Sequence, residues 1–497
     1  MIKNFKWLLF ASLAFVACDS EDEVVVDATS SDGKALTAGS AVVTKYVALG
    51  DSYAAGFSDN ALFIEAQKGS YANIISQQFA LTGGGEFKTP LMADNVGGLL
   101  LGGNVVSGTR LYLVIPPAPA RPFPANVTGR PSTEITTKLT GSFNNMGVPG
   151  AKSYHLVAPG YGNVAGVATG AANPYFARFA SSASTTILAD AVAQDPTFFS
   201  LWIGGNDVLG YATSGGTGRN QTGNLNPATY GGNDITDPTV FANVYSNVVN
   251  AMTAKGAKGV VANLPYITAL PFFTTVPYNA AALTATQASA LNSAYAGYNG
   301  GLVVAKNAGL ITEEERVART ISFTAGANGL VMVDEYLVTV NVPGLVLPSL
   351  RQTTSADYVV LASGGVSALA FLPLGNGSQF PLADNWVLSK AEVAEVKVAT
   401  DAYNNTIKSI ADAKGLAFVE LKGVTDKLAS GGIVYNGYTT TSTFVTGGMF
   451  SLDGVHPSPR GYAIIANLFT EAINVKFGAN FKNKDVGLYR TLFPASL

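Results

Sequence analysis

The chain carries two histidines, so any imidazole chemistry falls to His155 or His456. His456 stands in Leu452-Asp453-Gly454-Val455-His456-Pro457. An imidazole with a pKa of about 6.5 is a suitable base at neutral pH. It works best when a carboxylate fixes its second ring nitrogen. Asp453, three positions earlier, can do this from within one tight turn. A serine hydroxyl is the natural client of such a base, because alone it is hardly ionised near pH 7. Ser52 lies in Gly50-Asp51-Ser52-Tyr53, just past the apolar, β-branched run 42–49. A serine beyond a strand end is placed where a nucleophile is presented. His155 has no carboxylate at a matching offset and is expected to be structural or to line a cleft.

Attack on a carbonyl leaves an oxyanion that needs hydrogen-bond donors, each worth about 3 kcal/mol when preorganised. Asn145-Met146-Gly147-Val148-Pro149-Gly150 reads as a loop in which Gly147 can bring its bare N–H to a reacting oxygen. Gly204-Gly205-Asn206-Asp207 follows a second apolar run, and Asn206 can aim its side-chain amide at the same point. With the N–H of Ser52 there are three candidate donors. Asp51 and Asp207 are expected to be turn or cap residues. Glu313-Glu314-Glu315 reads as a solvated helix start after Thr312, and Trp202 as core.

These residues must be carried by elements. Strands are expected at 42–49, 198–203, 259–264 and 417–421, each a short apolar run. A helical segment spans 187–192. Asp237-Pro238 starts another helix that stops near Gly256, and Ser389 with Glu392 forms a capping box for a helix to about Lys414. A last helix runs from about Arg460 to Phe477. Alternating strands and helices imply a parallel sheet covered on both faces, with its site at the carboxyl ends of the strands. Residues 82–140 and 318–384 fit the alternation poorly and are expected to be insertions. The apolar run 359–372, broken by Gly364-Gly365, is expected to form a buried hairpin, with a lid as the alternative.

In their order, Gly50-Asp51-Ser52, the Gly147 loop, Gly205-Asn206-Asp207 and Asp453-x-x-His456-Pro457 resemble the four blocks of the SGNH hydrolases, the GDSL-type esterases and lipases. The resemblance implies a flavodoxin-like three-layer α/β/α fold and hydrolysis of carboxylic esters without cofactor or metal. By resemblance Ser52 is the nucleophile, His456 the base and Asp453 its orienting acid. Ser52, Gly147 and Asn206 form the oxyanion hole. Tyr53 stands where the family commonly has Leu, and the stretch from Ser52 to Gly147 is long for it. Apolar insertions favour an acyl-lipid ester as substrate. A carbohydrate O-acetyl esterase and a non-catalytic lipid- or glycan-binding protein are the alternatives.

Composition agrees. Hydrophobic residues are 47% of the 497 and charged residues 13%, enough for a large core. A net charge of −3 argues against a nucleic-acid binder. One cysteine excludes an intrachain disulfide, and with two histidines it leaves too few ligands for a structural zinc. That cysteine has a different role. Residues 1–17 read as a signal peptide, with Lys3 and Lys6 before an apolar run at 7–17. The run is shorter than the ~20 residues that span a bilayer. Phe15-Val16-Ala17-Cys18 resembles a bacterial lipobox, which makes Cys18 the lipid-attachment site. Asp19-Ser20-Glu21-Asp22-Glu23 resembles the acidic export tag of Bacteroidetes-type surface lipoproteins. The expected organisation is a tether over 18–40 and one hydrolase domain over 41–497, anchored by Cys18 at the outer membrane.

Overall fold

The computed structural model describes residues 33–118, 121–361 and 375–497. The signal segment, Cys18, the acidic run and most of the tether lie outside the described residues. So does most of the 359–372 run.

Five strands form the central sheet: β1 (Tyr46–Gly50), β2 (Asn145–Gly147), β3 (Phe198–Trp202), β4 (Lys258–Ala262) and β5 (Ala417–Val419). Their order across the sheet is β2-β1-β3-β4-β5 and every pair is parallel. This is the flavodoxin-like doubly wound order, and the fold is α/β. The chain leaves β1 on one side for β2, then returns past it to β3. The carboxyl ends of these three strands therefore flank one crevice. Gly50 is in register with Gly147 on one side and Trp202 on the other. β1 and β3 are buried along their whole length, as strands covered on both faces must be.

The helices that matter here are α1 (Ser52–Ala55), α2 (Tyr71–Ala80), α3 (Ile187–Val192), α4 (Asn206–Thr213), α5 (Pro238–Thr253), α6 (Ala285–Asn307), α7 (Glu313–Arg319), α8 (Lys390–Lys414) and α9 (Pro459–Phe477). On one face Tyr46 and Phe198 pack on Phe79 of α2, and Trp202 packs between Tyr71 of α2 and Phe469 of α9. On the other, α5 and α8 pack together through Phe241 and Tyr403, stacked 4.2 Å apart. The caps read from sequence are present. Asp237 accepts from the N–H groups of Thr239 and Val240, and Glu392 reaches back to the Ser389 N–H. Thr312 caps α7.

Two expectations change. The first strand begins at Tyr46 rather than 42, and Val42 is 54% exposed. Residues Asn145–Gly147, read as loop, are an edge strand of the sheet. The expected hairpin over 359–372 lies largely outside the described residues; just at its start, Tyr358–Val359 runs antiparallel to Val387–Leu388.

Between β1 and β2 the chain makes two hairpins, Leu99–Leu101 with Asn104–Ser107 and Leu111–Val114 with Phe123–Asn126. Between β4 and α8 lie α6, α7 and short hairpins with small apolar clusters of their own, around Leu330 and Met332 and around Tyr295 and Phe323. There the buried Arg351 is held between Asp334 and Asp357. Among the described residues no helix is long and apolar enough to cross a membrane.

Candidate active site

β1 runs straight into α1, so Ser52 sits at the first helical position beyond the strand. Asp51 caps that turn by accepting the Tyr53 N–H at 3.0 Å. Gly50 has to be glycine, because a Cβ there would lie 2.5 Å from the Trp202 carbonyl oxygen. Across the crevice, Phe450 and Pro457 bridge, which folds 451–456 into a tight loop ahead of α9. Ser458 caps α9 through the Gly461 N–H.

The loop and the serine meet. Ser52 Oγ lies 2.9 Å from His456 Nε2, and His456 Nδ1 lies 2.9 Å from Asp453 Oδ2. With Nδ1–H donating to the carboxylate, Nε2 presents a lone pair to the Ser52 hydroxyl. Ser52 and Asp453 are buried, and His456 is covered by the rings of Phe57 and Tyr53, 4.6 and 5.5 Å away. Asp453 Oδ1 accepts from the N–H groups of Val455 and His456, both at 2.8 Å. Burial pushes the Asp453 carboxyl up. The charge and hydrogen bond of His456, with these two N–H groups, outweigh it and hold the carboxyl below the ordinary range.

A second segment positions this loop, and sequence reasoning missed it. Asp59 and Asn60 both have left-handed backbone, with φ of 50° and 62°. The Asn60 N–H donates to Asp453 Oδ2 at 2.9 Å. The Asp59 N–H donates to Ser451 Oγ, whose hydroxyl donates to Asp453 Oδ1. Asp59 Oδ1 accepts the Leu452 N–H at 2.9 Å, while Oδ2 is buried without a partner. Burial pushes the Asp59 carboxyl up to about 7. The Asp-Asn pair is a turn signal in the sequence, but its partners stand nearly four hundred residues away.

The donors need one correction. Gly147 does not offer its N–H to the crevice, because that group donates to Asn145 Oδ1 at 3.0 Å. Gly147 is glycine for packing: a Cβ would lie 2.4 Å from the Ala55 nitrogen of α1. Three residues on, Gly150 is exposed with a φ of 80°. Its N–H has no acceptor among the described residues, nor has that of Ser52. The turn holding Gly150 is tied to β1 by the Val148 N–H on the Gly50 carbonyl. It is tied to Asn206 by that side chain's amide, which donates to the Ala151 carbonyl at 3.0 Å. One Asn206 amide hydrogen remains. The N–H groups of Ser52 and Gly150 and the second amide hydrogen of Asn206 are thus the uncommitted donors here, where the sequence pointed to Ser52, Gly147 and Asn206.

The other candidates hold structure. Asp207 is buried and accepts both the hydroxyl and the N–H of Ser153, at 2.6 and 2.8 Å. His155 stacks on Tyr161 at 4.2 Å, and its Nδ1 accepts the Lys152 N–H. Burial, then the Lys152 charge, pushes its pKa down to about 3, so it is neutral. It lines a groove of about 470 Å³ with Tyr154, Tyr161 and Tyr230. Beside His456 opens a second cleft, of about 560 Å³. Phe272, Leu361 and Trp386 make its apolar wall, and Asn60, Thr217 and Asn385 its polar rim.

No family model matches the chain, and no curated protein matches it. Among solved structures it is similar to the crystal structure of LAE5, an alpha/beta hydrolase enzyme from the metagenome of Lake Arreo, Spain. The identity is 11%, the match covers 87% of this chain and 96% of that one, and the TM-score is 0.33. A likeness that weak carries no argument, so the fold rests on the sheet order described above and the chemistry on the distances around Ser52.

Proposed function

We propose that the protein is a serine ester hydrolase of the SGNH kind. The observation that carries this is the unbroken chain from Ser52 Oγ to His456 to Asp453, each link 2.9 Å, at the carboxyl ends of the strands. Ser52 Oγ bonds to the ester carbonyl carbon as its proton passes to His456 Nε2. The oxyanion takes hydrogen bonds from the N–H groups of Ser52 and Gly150 and from the Asn206 amide. When the carbon–oxygen bond breaks, His456 returns the proton to the leaving alcohol and the acyl group stays on Ser52. A water molecule then gives a proton to His456 and attacks the acyl carbon, which frees the acid and restores the serine. No cofactor enters these steps.

The acyl side of the substrate is assigned to the cleft beside His456, whose Phe272, Leu361 and Trp386 favour an alkyl chain. A second reading, a carbohydrate O-acetyl esterase, is favoured by that cleft's polar rim and by the tyrosine-lined groove on the Gly150 side. Cys18 is proposed as a lipid anchor holding the enzyme at a membrane.

Replacing Ser52 with Ala tests the reaction. Turnover of p-nitrophenyl acetate should fall by about 10⁴ or more with the fold unchanged, and retained turnover would refute the assignment. Acetyl against octanoyl esters decides the acyl group: octanoyl preference supports the lipolytic reading, acetyl preference the carbohydrate one.

A further inference from the structure

We propose that Glu335, Asp384 and Glu392 form a calcium site that braces the wall of the cleft. One carboxylate oxygen from each of the three lies within 4.8 Å of the others. Calcium–oxygen bonds of about 2.3–2.6 Å are of the size that lets one ion sit among three oxygens so spaced. Magnesium, with bonds of ~2.1 Å and a demand for near-ideal octahedral geometry, is less tolerant of ligands drawn from separate pieces of chain. Zinc prefers nitrogen and sulfur, and none is in the cluster.

Solvated acidic patches are common, and burial separates this one from them. Glu392 is 0% exposed. Its Oε2 accepts the Ser389 N–H, while Oε1 and Asp384 Oδ1 are buried oxygens that accept no hydrogen bond among the described residues. A buried carboxylate left with a bare oxygen is costly unless a cation or a proton neutralises it. No lysine or arginine pairs with these three among the described residues. The nearby Arg351 is already engaged by Asp334 and Asp357. The chain makes room for Glu392 by placing glycine opposite: a Cβ on Gly216, whose φ is 81°, would lie 2.1 Å from Oε1. Glu335 is exposed and gives an ion its way in.

The three ligands come from separate pieces of chain. Glu335 follows a hairpin strand, Asp384 opens the turn Asp384–Trp386, and Glu392 sits in the first turn of α8. Asn385 and Trp386 of that turn line the cleft beside His456. An ion here would fasten the cleft wall to α8.

The test is calcium titration by calorimetry of the purified full chain after treatment with chelator. One ion per chain is expected, with a Kd at or below ~1 mM, the range of weak extracellular oxygen sites. E392Q should weaken binding by about tenfold or more, and so should E335Q, whose surface position puts no fold at risk. Absence of saturable binding up to ~10 mM, or binding by both variants as tight as that of the parent chain, would overturn the site. Tighter binding of magnesium than of calcium would overturn the choice of ion. None of these measurements uses an ester, so the site can fail while the hydrolase assignment stands, and the reverse.

Discussion

Replacing Asp453 with Asn keeps the shape of the side chain and inverts one hydrogen bond. Oδ1 accepts from the Val455 and His456 N–H groups and from Ser451. The amide oxygen must stay there, because an NH₂ at that position would face donors. The NH₂ therefore replaces Oδ2, facing His456 Nδ1 and the Asn60 N–H. A donor opposite Nδ1 forces the imidazole into the tautomer with its proton on Nε2. That nitrogen then cannot accept the proton of Ser52. The same tautomer error in an unrelated triad costs about 10⁴ in kcat, or about 5.4 kcal/mol at ~1.36 per factor of ten. The Asn60 N–H loses its acceptor as well, a stability cost of about 1–3 kcal/mol. Steady-state hydrolysis of p-nitrophenyl acetate gives kcat and KM, and urea unfolding gives the stability. The expectation is a kcat about 10⁴ lower with KM little changed and the variant still folded. A folded D453N within about tenfold of the parent kcat would show that Asp453 does not set the tautomer.

Asn206→Ala should lower kcat by about 10²–10³, since one oxyanion donor goes, while stability falls by only about 1 kcal/mol for the bond to Ala151; an unchanged kcat would remove Asn206 from the donor set. Gly147→Ala should act on the fold, because its Cβ meets α1 at 2.4 Å, costing about 1–3 kcal/mol or more in urea unfolding. An Ala variant of normal stability would contradict the packing role given to Gly147. Asp59 carries a pH dependence: its folded pKa of about 7 lies above the ordinary ~3.9, so its contribution to stability is whole below ~3.9 and is lost as pH rises to about 7. D59N should therefore reduce the drop in unfolding free energy between pH 5 and pH 8, measured by urea titration at both. The same drop in parent and variant would refute it.

What the sequence showed plainly was chemistry borne by rare residue types and strands made of apolar runs. Two histidines narrowed the candidate base to His456, and β3, β4 and β5 were visible because each is a short, mostly buried apolar run, the first two inside the sheet and β5 at its edge. β2 was not visible. Three residues, Asn-Met-Gly, give no period, and the strand exists because Asn145 bonds the Ala54 carbonyl and the Gly147 N–H rather than because it is apolar. The misplaced donor has the same origin. Both glycines of Gly147-Val148-Pro149-Gly150 lack a side chain, and sequence cannot tell which one needs that for packing and which for a free N–H. Asp59 was hidden by distance, its role being defined only against residues 451–453. The carboxylates of the proposed calcium site are likewise separate in sequence and meet only in the folded chain.

The geometry at Ser52 joins positions 404 apart in the chain, yet little of the intervening chain is asked to hold it. The clamp is local to the two ends. Tyr53 donates to the Val455 carbonyl, Tyr462 to that of Phe57, Ser58 to that of Pro457, and the Asn60 N–H to Asp453. The segment that follows Ser52 thus grips the loop that carries Asp453 and His456, on both sides of His456. The hairpins before β2 touch this clamp through the Leu111 N–H on the Asp59 carbonyl, and the segment between β4 and α8 touches it through the Phe272 N–H on the Gly454 carbonyl. Such an arrangement lets large insertions reshape the clefts, and so the choice of ester, without disturbing the proton path. It also means that stiffness at the site depends on a few buried polar contacts, each losing its partner if the other end moves. The unpartnered Asp59 Oδ2 lies inside this clamp, and its cost is borne where the loop that carries Asp453 must be held in one position.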